Sequence, residues 1–272
     1  MEKREKERRR LAHLATLTII VFPVNTSIAE IQSSRASILT YGSGFFIKHR
    51  DYIFFVTADH VSRYSYWEEG GDGECNTIMI PHNHRDPNGR LGSVFSIKGD
   101  FISYDENIEK YKDEFFPIDI SFCEINEADL ITAFSVQELI VGNEIICKKG
   151  ECHIFFEDCD ISCFSKESRY FLGGLSECKL EGPMIKQYPN FYDNLTLECV
   201  DSDGNVILGG ESFSAEKMGG LSGAPILDSE GLLAGLFVRV LEDKNKIVAV
   251  PMSSVVRYVD YYIDAMIIDE NL

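Results

Sequence analysis

Short apolar segments recur along the chain, most of them with alternating polar and apolar positions. Polar turn residues separate these segments, as at 49–51, 201–204 and 229–231. Alternation over a few residues favours half-buried β-strands, and many short strands joined by tight turns are typical of sandwiches and barrels. The pattern therefore predicts an all-β fold, with strands over 15–24, 43–48, 52–57, 76–80, 93–97, 118–124, 144–147, 153–157, 170–173, 194–200, 205–208, 225–228, 232–240 and 247–250.

One segment, 252–268, carries a helical pattern, with an apolar stripe formed by Val255, Val259, Ile263 and Met266. The stretch 126–141, which opens with polar residues, is expected to link two β halves. We therefore divide the chain into a basic N-terminal arm (1–14), a first β-barrel (15–130), a second β-barrel (131–251) and a C-terminal helix (252–272).

The N-terminus admits two interpretations. Six of the first ten residues are basic, and an apolar run follows at 11–24. We expect a short exposed helix and then the first strand. The alternative is a signal peptide or anchor with cleavage near 27–29, although the apolar run is too short to span a bilayer.

The net charge of the chain limits the kinds of molecule that it is expected to bind. The chain has 272 residues and a formal net charge of −18, which argues against nucleic-acid binding because that needs clustered positive charge. Basic substrates or partners are favoured instead, and no membrane association is expected. The eight cysteines fit free thiols in the cytoplasm, while disulfides in a secreted or periplasmic protein, or a zinc site near residues 147–163, remain alternatives.

Three local patterns carry candidate chemistry. His60 follows the apolar segment 54–57, Asp119 lies between two isoleucines, and Ser222 lies in the glycine-rich segment 219–225. A serine hydroxyl needs an imidazole to accept its proton, and a buried carboxylate must orient that imidazole. Their order along an all-β chain predicts a catalytic triad. The amides of Gly220 and Ser222 are expected to bind the oxyanion, with no metal or cofactor.

These segments resemble motifs of the trypsin-like serine peptidases, closest to the bacterial HtrA-type branch: Gly42-Ser43-Gly44, Thr57-Ala58-Asp59-His60, Ile118-Asp119-Ile120 and Leu221-Ser222-Gly223-Ala224-Pro225. The resemblance covers residues 15–268. It implies two six-stranded antiparallel barrels with the active site between them, a closing C-terminal helix and a protein or peptide substrate.

Departures from the family pattern are also visible. Asp59 stands where the family usually has a small residue, and is expected either to raise the basicity of the neighbouring histidine or to point into a hydrogen-bonded pocket. Leu221 replaces the aspartate that binds a newly cut N-terminus in digestive-type members, so activation by that ion pair is not expected. The PDZ domain of the HtrA branch is also not expected, because no further segment follows the final helix.

The sequence leaves two alternatives for the substrate preference. Glu216, six residues before Ser222, would favour Lys or Arg at the residue preceding the cleaved bond. Val238, Arg239 and Val240 would form the wall of the same pocket, and a valine at its last position favours small side chains.

The sequence thus predicts a serine endopeptidase. Its alternative is a latent or catalytically silent module of the same fold that acts by binding protein, used or activated only with a regulatory partner.

Overall fold

The computed structural model describes residues 2–23, 25–33, 35–64, 77–80, 84–85, 91–92, 101–103, 119–125, 138–181 and 184–270. Its strands are β1 (Leu17–Phe22), β2 (Thr40–His49), β3 (Tyr52–Thr57), β4 (Thr77–Met79), β5 (His84–Arg85), β6 (Leu91–Gly92), β7 (Ile102–Ser103), β8 (Ser121–Glu124), β9 (Leu139–Val141), β10 (Glu144–Cys147), β11 (Phe155–Glu157), β12 (Tyr170–Glu181), β13 (Met184–Val200), β14 (Val206–Gly209), β15 (Pro225–Asp228), β16 (Leu233–Leu241) and β17 (Lys246–Pro251). Its α-helices are α1 (Lys3–Ala15), α2 (Ile28–Gln32), α3 (Asp59–Ser62), α4 (Ala215–Met218) and α5 (Met252–Glu270).

The first sheet is built around the β2–β3 hairpin. Arg50 and Asp51 form its two-residue loop with φ values of 47° and 70°, which is the backbone of a type I′ turn. The strand order is β4-β1-β2-β3-β8-β7, and β11 adds to β2 in parallel. Each of the other pairings is antiparallel. This sheet contains the segments that lead to His60 and Asp119.

The second sheet is a closed antiparallel barrel in the order β12-β13-β14-β17-β16-β15. Its interior is filled by large apolar side chains such as Tyr170, Leu208 and Phe237. Ser222 lies on the connection from α4 to β15. The all-β fold class with a six-stranded antiparallel barrel and a C-terminal helix is therefore confirmed.

One apolar core joins the two sheets and the C-terminal helix. Phe45 and Phe54 of the first sheet cluster with Val238 of the barrel and with Val255 and Val259 of α5. Each of these five side chains is at most 2% exposed. Because α5 packs on both sheets, it fixes their relative position and hence the positions of the loops between them. The helical stripe read from the sequence faces this core.

The N-terminal helix α1 packs more closely on the protein than the sequence suggested. We expected a short exposed helix, but residues 12–15 at its end are buried. The guanidinium of Arg9 lies 5.4 Å from the centroid of the Phe191 ring and 3.5 Å from Asp193. Polar contacts on one side and small apolar residues on the other therefore hold the basic arm against the barrel.

Two further expectations differ in detail. The strand expected over 15–24 begins at Leu17, because α1 continues to Ala15, and ends at Phe22, just before Pro23. The first sheet was expected to form a closed six-stranded barrel, but its seven strands do not close over the described residues. The strand expected over 93–97 and most of the linker over 126–141 lie outside the described residues. Among the described helices, none combines the length and apolar character needed to cross a membrane.

Candidate active site

Strand register brings His60 and Asp119 together. Thr57 pairs with Ser121 at the end of the β3–β8 ladder, so Asp119, two residues before Ser121, lies beside the start of α3. The hydroxyls of Ser62 and Ser121, 2.5 Å apart, tie α3 to β8 at the same level. The position of the carboxylate beside the histidine thus follows from the pairing of two buried strands.

The Asp119 carboxylate accepts two hydrogen bonds from His60. Oδ1 accepts the backbone N–H of His60 at 3.0 Å, and Oδ2 lies 2.7 Å from Nδ1 of the imidazole. The Asp119 side chain is 16% exposed and that of His60 is 32% exposed. A carboxylate that accepts from both the backbone and the ring fixes the ring orientation and places the ring proton on Nδ1. Nε2 is then the nitrogen able to accept a proton.

Ser222 is the second residue of the second of two consecutive tight turns. In the first, Leu221 N–H donates to Met218 O at 3.0 Å, with Gly220 at φ +87° in the third position. In the second, Ala224 N–H donates to Leu221 O at 2.7 Å, with Gly223 at φ +92°. Both third positions need the left-handed region that glycine adopts readily, which explains the glycine-rich sequence.

The loop that carries Ser222, residues 219–223, packs directly against the elements that carry His60. We call it the nucleophile loop. A Cβ at Gly42 of β2 would meet both the Ser222 carbonyl oxygen and the Val61 side chain at 2.8 Å. A Cβ at Gly223 would lie 3.0 Å from the backbone nitrogen of Ala58. Residues adjacent to Ser222 therefore touch residues adjacent to His60. This close approach of three backbones is the reason for glycine at 42 and 223.

The Ser222 hydroxyl donates to the carbonyl oxygen of Val238 on β16 at 3.0 Å. A hydroxyl carries one proton, so in this arrangement Ser222 does not donate to His60. Donation to His60 requires that the hydroxyl proton turn away from the Val238 carbonyl.

Two backbone amides are available beside the hydroxyl. Among the described residues, neither Gly220 N–H nor Ser222 N–H has a hydrogen-bond acceptor in the protein. The turn with Gly219 at φ −52°, ψ 130° and Gly220 at positive φ is of type II. Paired free donors next to a serine form an arrangement able to bind a negatively charged oxygen.

No protein-family model matches the sequence, and no curated protein matches it. Among solved structures, the chain is similar to the crystal structure of Deg5, with 15% identity over 94% of each chain and a TM-score of 0.45. It is also similar to the serine endoprotease from Yersinia pestis, with 14% identity over 97% of this chain and 68% of that one, and a TM-score of 0.45. The closed six-stranded barrel and the C-terminal helix agree with the resemblance found in the sequence, whereas the sheet beside the barrel is open over the described residues. The observed architecture is therefore an all-β fold with one closed six-stranded antiparallel barrel and a C-terminal helix.

The structure places the expected specificity residues on two elements. On β16, Val238 is buried, Arg239 is exposed and Val240 is partly buried. This strand pairs with β17 as far as Leu241 but with β15 only to Leu236, so among the described strands the other edge of 238–240 is unpaired. Glu216 is exposed on α4.

Two residues that line the nucleophile loop were given no individual role by the sequence reasoning, although Ser43 belongs to a motif that carries the resemblance. The Tyr41 ring packs on the loop, since a Cβ at Gly220 would meet it at 2.6 Å. Ser43 is fully buried and hydrogen-bonds to the loop. A polar residue between two glycines in an otherwise apolar strand was the available signal for Ser43.

The two residues that depart from the family pattern, Asp59 and Leu221, are both buried. Asp59 is 7% exposed, and its Oδ1 lies 3.9 Å from Nε of Arg63, one turn along α3. The carboxylate is thus directed along α3, towards Arg63. Leu221 is fully buried and joins the apolar interior of the barrel. An apolar side chain thus fills the interior immediately before the nucleophile.

The cysteines that the structure describes with side chains are free thiols: Cys123, Cys147, Cys152, Cys159, Cys163 and Cys199. Burial raises the pKa of Cys123 to about 12. No cluster of three or more ligating side chains occurs among the described residues.

Proposed function

We propose that the protein is a serine endopeptidase that cleaves peptide bonds through an acyl-enzyme. In this proposal Ser222 is the nucleophile, His60 the general base and acid, and Asp119 the residue that orients His60. The observation that supports it most is the double hydrogen bond from His60 to Asp119, placed against the turn that carries Ser222.

The proton path follows from the tautomer. Because Nδ1–H donates to Asp119, Nε2 of His60 accepts the Ser222 proton while Oγ attacks the carbonyl carbon of the substrate. The Asp119 carboxylate stabilises the imidazolium that results. The proton then passes from Nε2 to the leaving amine as the carbon–nitrogen bond breaks. A water molecule repeats the sequence on the acyl-enzyme and regenerates the serine.

The free amides of Gly220 and Ser222 would hold the oxyanion that forms during attack. The unpaired edge at 238–240 would hold the substrate as an added antiparallel strand, through main-chain hydrogen bonds. The hydrogen bond from Ser222 to the Val238 carbonyl lies where this edge meets the nucleophile. Rotation of the hydroxyl towards His60 would therefore accompany substrate binding.

The two specificity alternatives make opposite predictions for a positional peptide library. If Glu216 governs the pocket, cleavage follows Lys or Arg, and Glu216→Gln removes that preference. If Val240 governs it, cleavage follows Ala or Val, and Val240→Gly widens the preference.

Steady-state cleavage of a library-selected peptide tests the proposal. We expect Ser222→Ala or His60→Ala to lower kcat by about 10⁶-fold, and Asp119→Asn by about 10⁴-fold. The Ser222→Ala/His60→Ala double variant should be no slower than either single variant, because the residues act as a unit. Independent, multiplying losses would contradict a triad.

A second candidate is a latent module that binds protein and becomes active only with a regulatory partner. The donation of the Ser222 hydroxyl to Val238 favours it, since the single proton of this hydroxyl is directed at a main-chain carbonyl. A latent module would fail to cleave the whole library alone, yet would bind a partner equally well with Ser222 or Ala at that position.

A further inference from the structure

Ser43 occupies the centre of β2, where the two sheets meet. It is 0% exposed and pairs with Thr18 of β1. Most of its neighbours on β2 are apolar, so a buried hydroxyl at this position requires a hydrogen-bond partner. The partner lies in the other half of the molecule.

Three hydrogen bonds converge on this one residue. Its Oγ donates to Gly220 O at 2.7 Å, and its backbone N–H donates to Ser222 O at 2.7 Å. Its own carbonyl accepts the Thr57 hydroxyl at 2.7 Å, which fixes Ser43 to β3. A Cβ at Gly223 would lie only 2.0 Å from the same carbonyl. Ser43 therefore anchors the carbonyls on both sides of the nucleophile to the rigid first sheet.

The loop needs such an anchor. Three of the five residues 219–223 are glycine, so the backbone of this loop has many accessible conformations. The bonds from Ser43 to Gly220 O and Ser222 O fix the peptide unit before Leu221 and the peptide unit after Ser222. They therefore restrict the backbone angles of the residues whose amides flank the nucleophile.

We propose that Ser43 is a positioning residue that holds the Gly220–Ser222 segment with both amides directed at the oxyanion. The inference rests on the proposed peptidase function for its catalytic consequence. Its structural part, the hold of Ser43 on the loop, stands independently of that function.

The test compares Ser43→Ala with a matched control, Thr16→Val. Thr16 is also buried, and its hydroxyl donates to Gly173 O at 2.9 Å, again a bond from the N-terminal part to the barrel. Each variant deletes one buried hydroxyl-to-carbonyl hydrogen bond, but only Ser43→Ala touches the nucleophile loop. Ser43→Cys, with a weaker donor of similar size, is the intermediate variant.

Amide hydrogen exchange of peptides covering 218–224 is the first readout. Ser43→Ala should speed exchange in this segment by about 10-fold or more, Ser43→Cys by less, and Thr16→Val not at all, since local opening follows the loss of local bonds. Unchanged exchange in Ser43→Ala, or an equal rise in Thr16→Val, would overturn the proposal.

Kinetics supply the second readout. Ser43→Ala should lower kcat by about 10- to 100-fold with KM within about two-fold, because misplaced amides weaken the transition state alone. A loss confined to KM would contradict the positioning role. If wild type neither cleaves peptide nor takes an active-site probe, the proposed function fails, while the exchange comparison still decides whether Ser43 holds the loop.

Discussion

The contacts of His49 make the stability of the protein depend on pH. Its imidazole, 11% exposed, lies between two carboxylates: Nδ1 is 2.5 Å from Asp158 and Nε2 is 2.8 Å from Asp260 of α5. Arg50 on the neighbouring turn also pairs with Asp260, at 2.7 Å, and with Asp264, at 2.6 Å. A neutral imidazole has one N–H, so both contacts are satisfied only when His49 is protonated. His49⁺ therefore clamps α5 onto the β2–β3 hairpin.

These contacts determine how the stabilisation by His49 depends on pH and how large it is. Burial lowers the pKa of His49, but the hydrogen bonds to Asp158 and Asp260 outweigh it and leave the pKa above its ordinary value. The stabilisation is therefore full below about pH 6.5, the usual pKa in an unfolded chain, and is lost as pH rises through the higher folded-state pKa. The bond to Asp260 is worth about 1.5–3 kcal/mol, and the bond to the mostly exposed Asp158 adds about 0.5 kcal/mol after screening. Burial of the charged imidazole offsets part of this stabilisation, and the net contribution of His49 is about 2 kcal/mol.

Thermal unfolding of wild type and His49→Gln between pH 5.5 and 9.5 measures this effect. At pH 6 the variant should melt about 4–8 °C lower, and the difference should shrink as pH rises. His153→Gln is the matched control, because His153 Nδ1 contacts a backbone carbonyl, Leu14 O at 2.9 Å. A difference that stays constant or grows with pH would refute the reasoning, as would the same pH trend in the control.

Three further predictions test other parts of the structure. Gly220→Ala should lower kcat by about 10²–10³-fold without unfolding the protein, since Cβ disfavours φ +87° and turns an oxyanion donor away; kinetics beside circular dichroism check it. Arg9→Ala should lower the free energy of unfolding by about 1–2 kcal/mol. Adding Asp193→Asn to this variant should recover part of the lost stability, and urea titration measures both changes. Cys123 should resist alkylation in the native protein while Cys199 reacts, as peptide mass mapping will record, because the first is buried and the second exposed.

Much of the fold and of the candidate site could be predicted because local pattern and chemistry agree there. The stripe through Val255, Val259 and Ile263 packs into the core as helical periodicity requires. His60 and Asp119 are brought together by strand pairing, which alternation of apolar residues determines. The glycines around Ser222 signal their positive φ directly.

The remainder depends on tertiary contacts that leave little trace in local sequence. Nothing in the pattern of β2 says that the Ser43 hydroxyl meets a carbonyl more than 170 residues away. The basic arm looked exposed because charged residues dominate it, yet its last turn is buried and Arg9 packs on Phe191. The hydrogen bond from Ser222 to Val238 concerns a single rotamer. Such features require knowledge of which surfaces face each other.

The most direct test of the central claim is fluorophosphonate labelling of the folded protein, with the adduct located by peptide mass spectrometry. The account predicts one adduct, on Ser222, in wild type, no labelling of Ser222→Ala, and at most slow labelling of His60→Ala, all with unchanged circular dichroism. An adduct on another residue, equal labelling of Ser222→Ala, or no adduct on native wild type would contradict a formed catalytic serine.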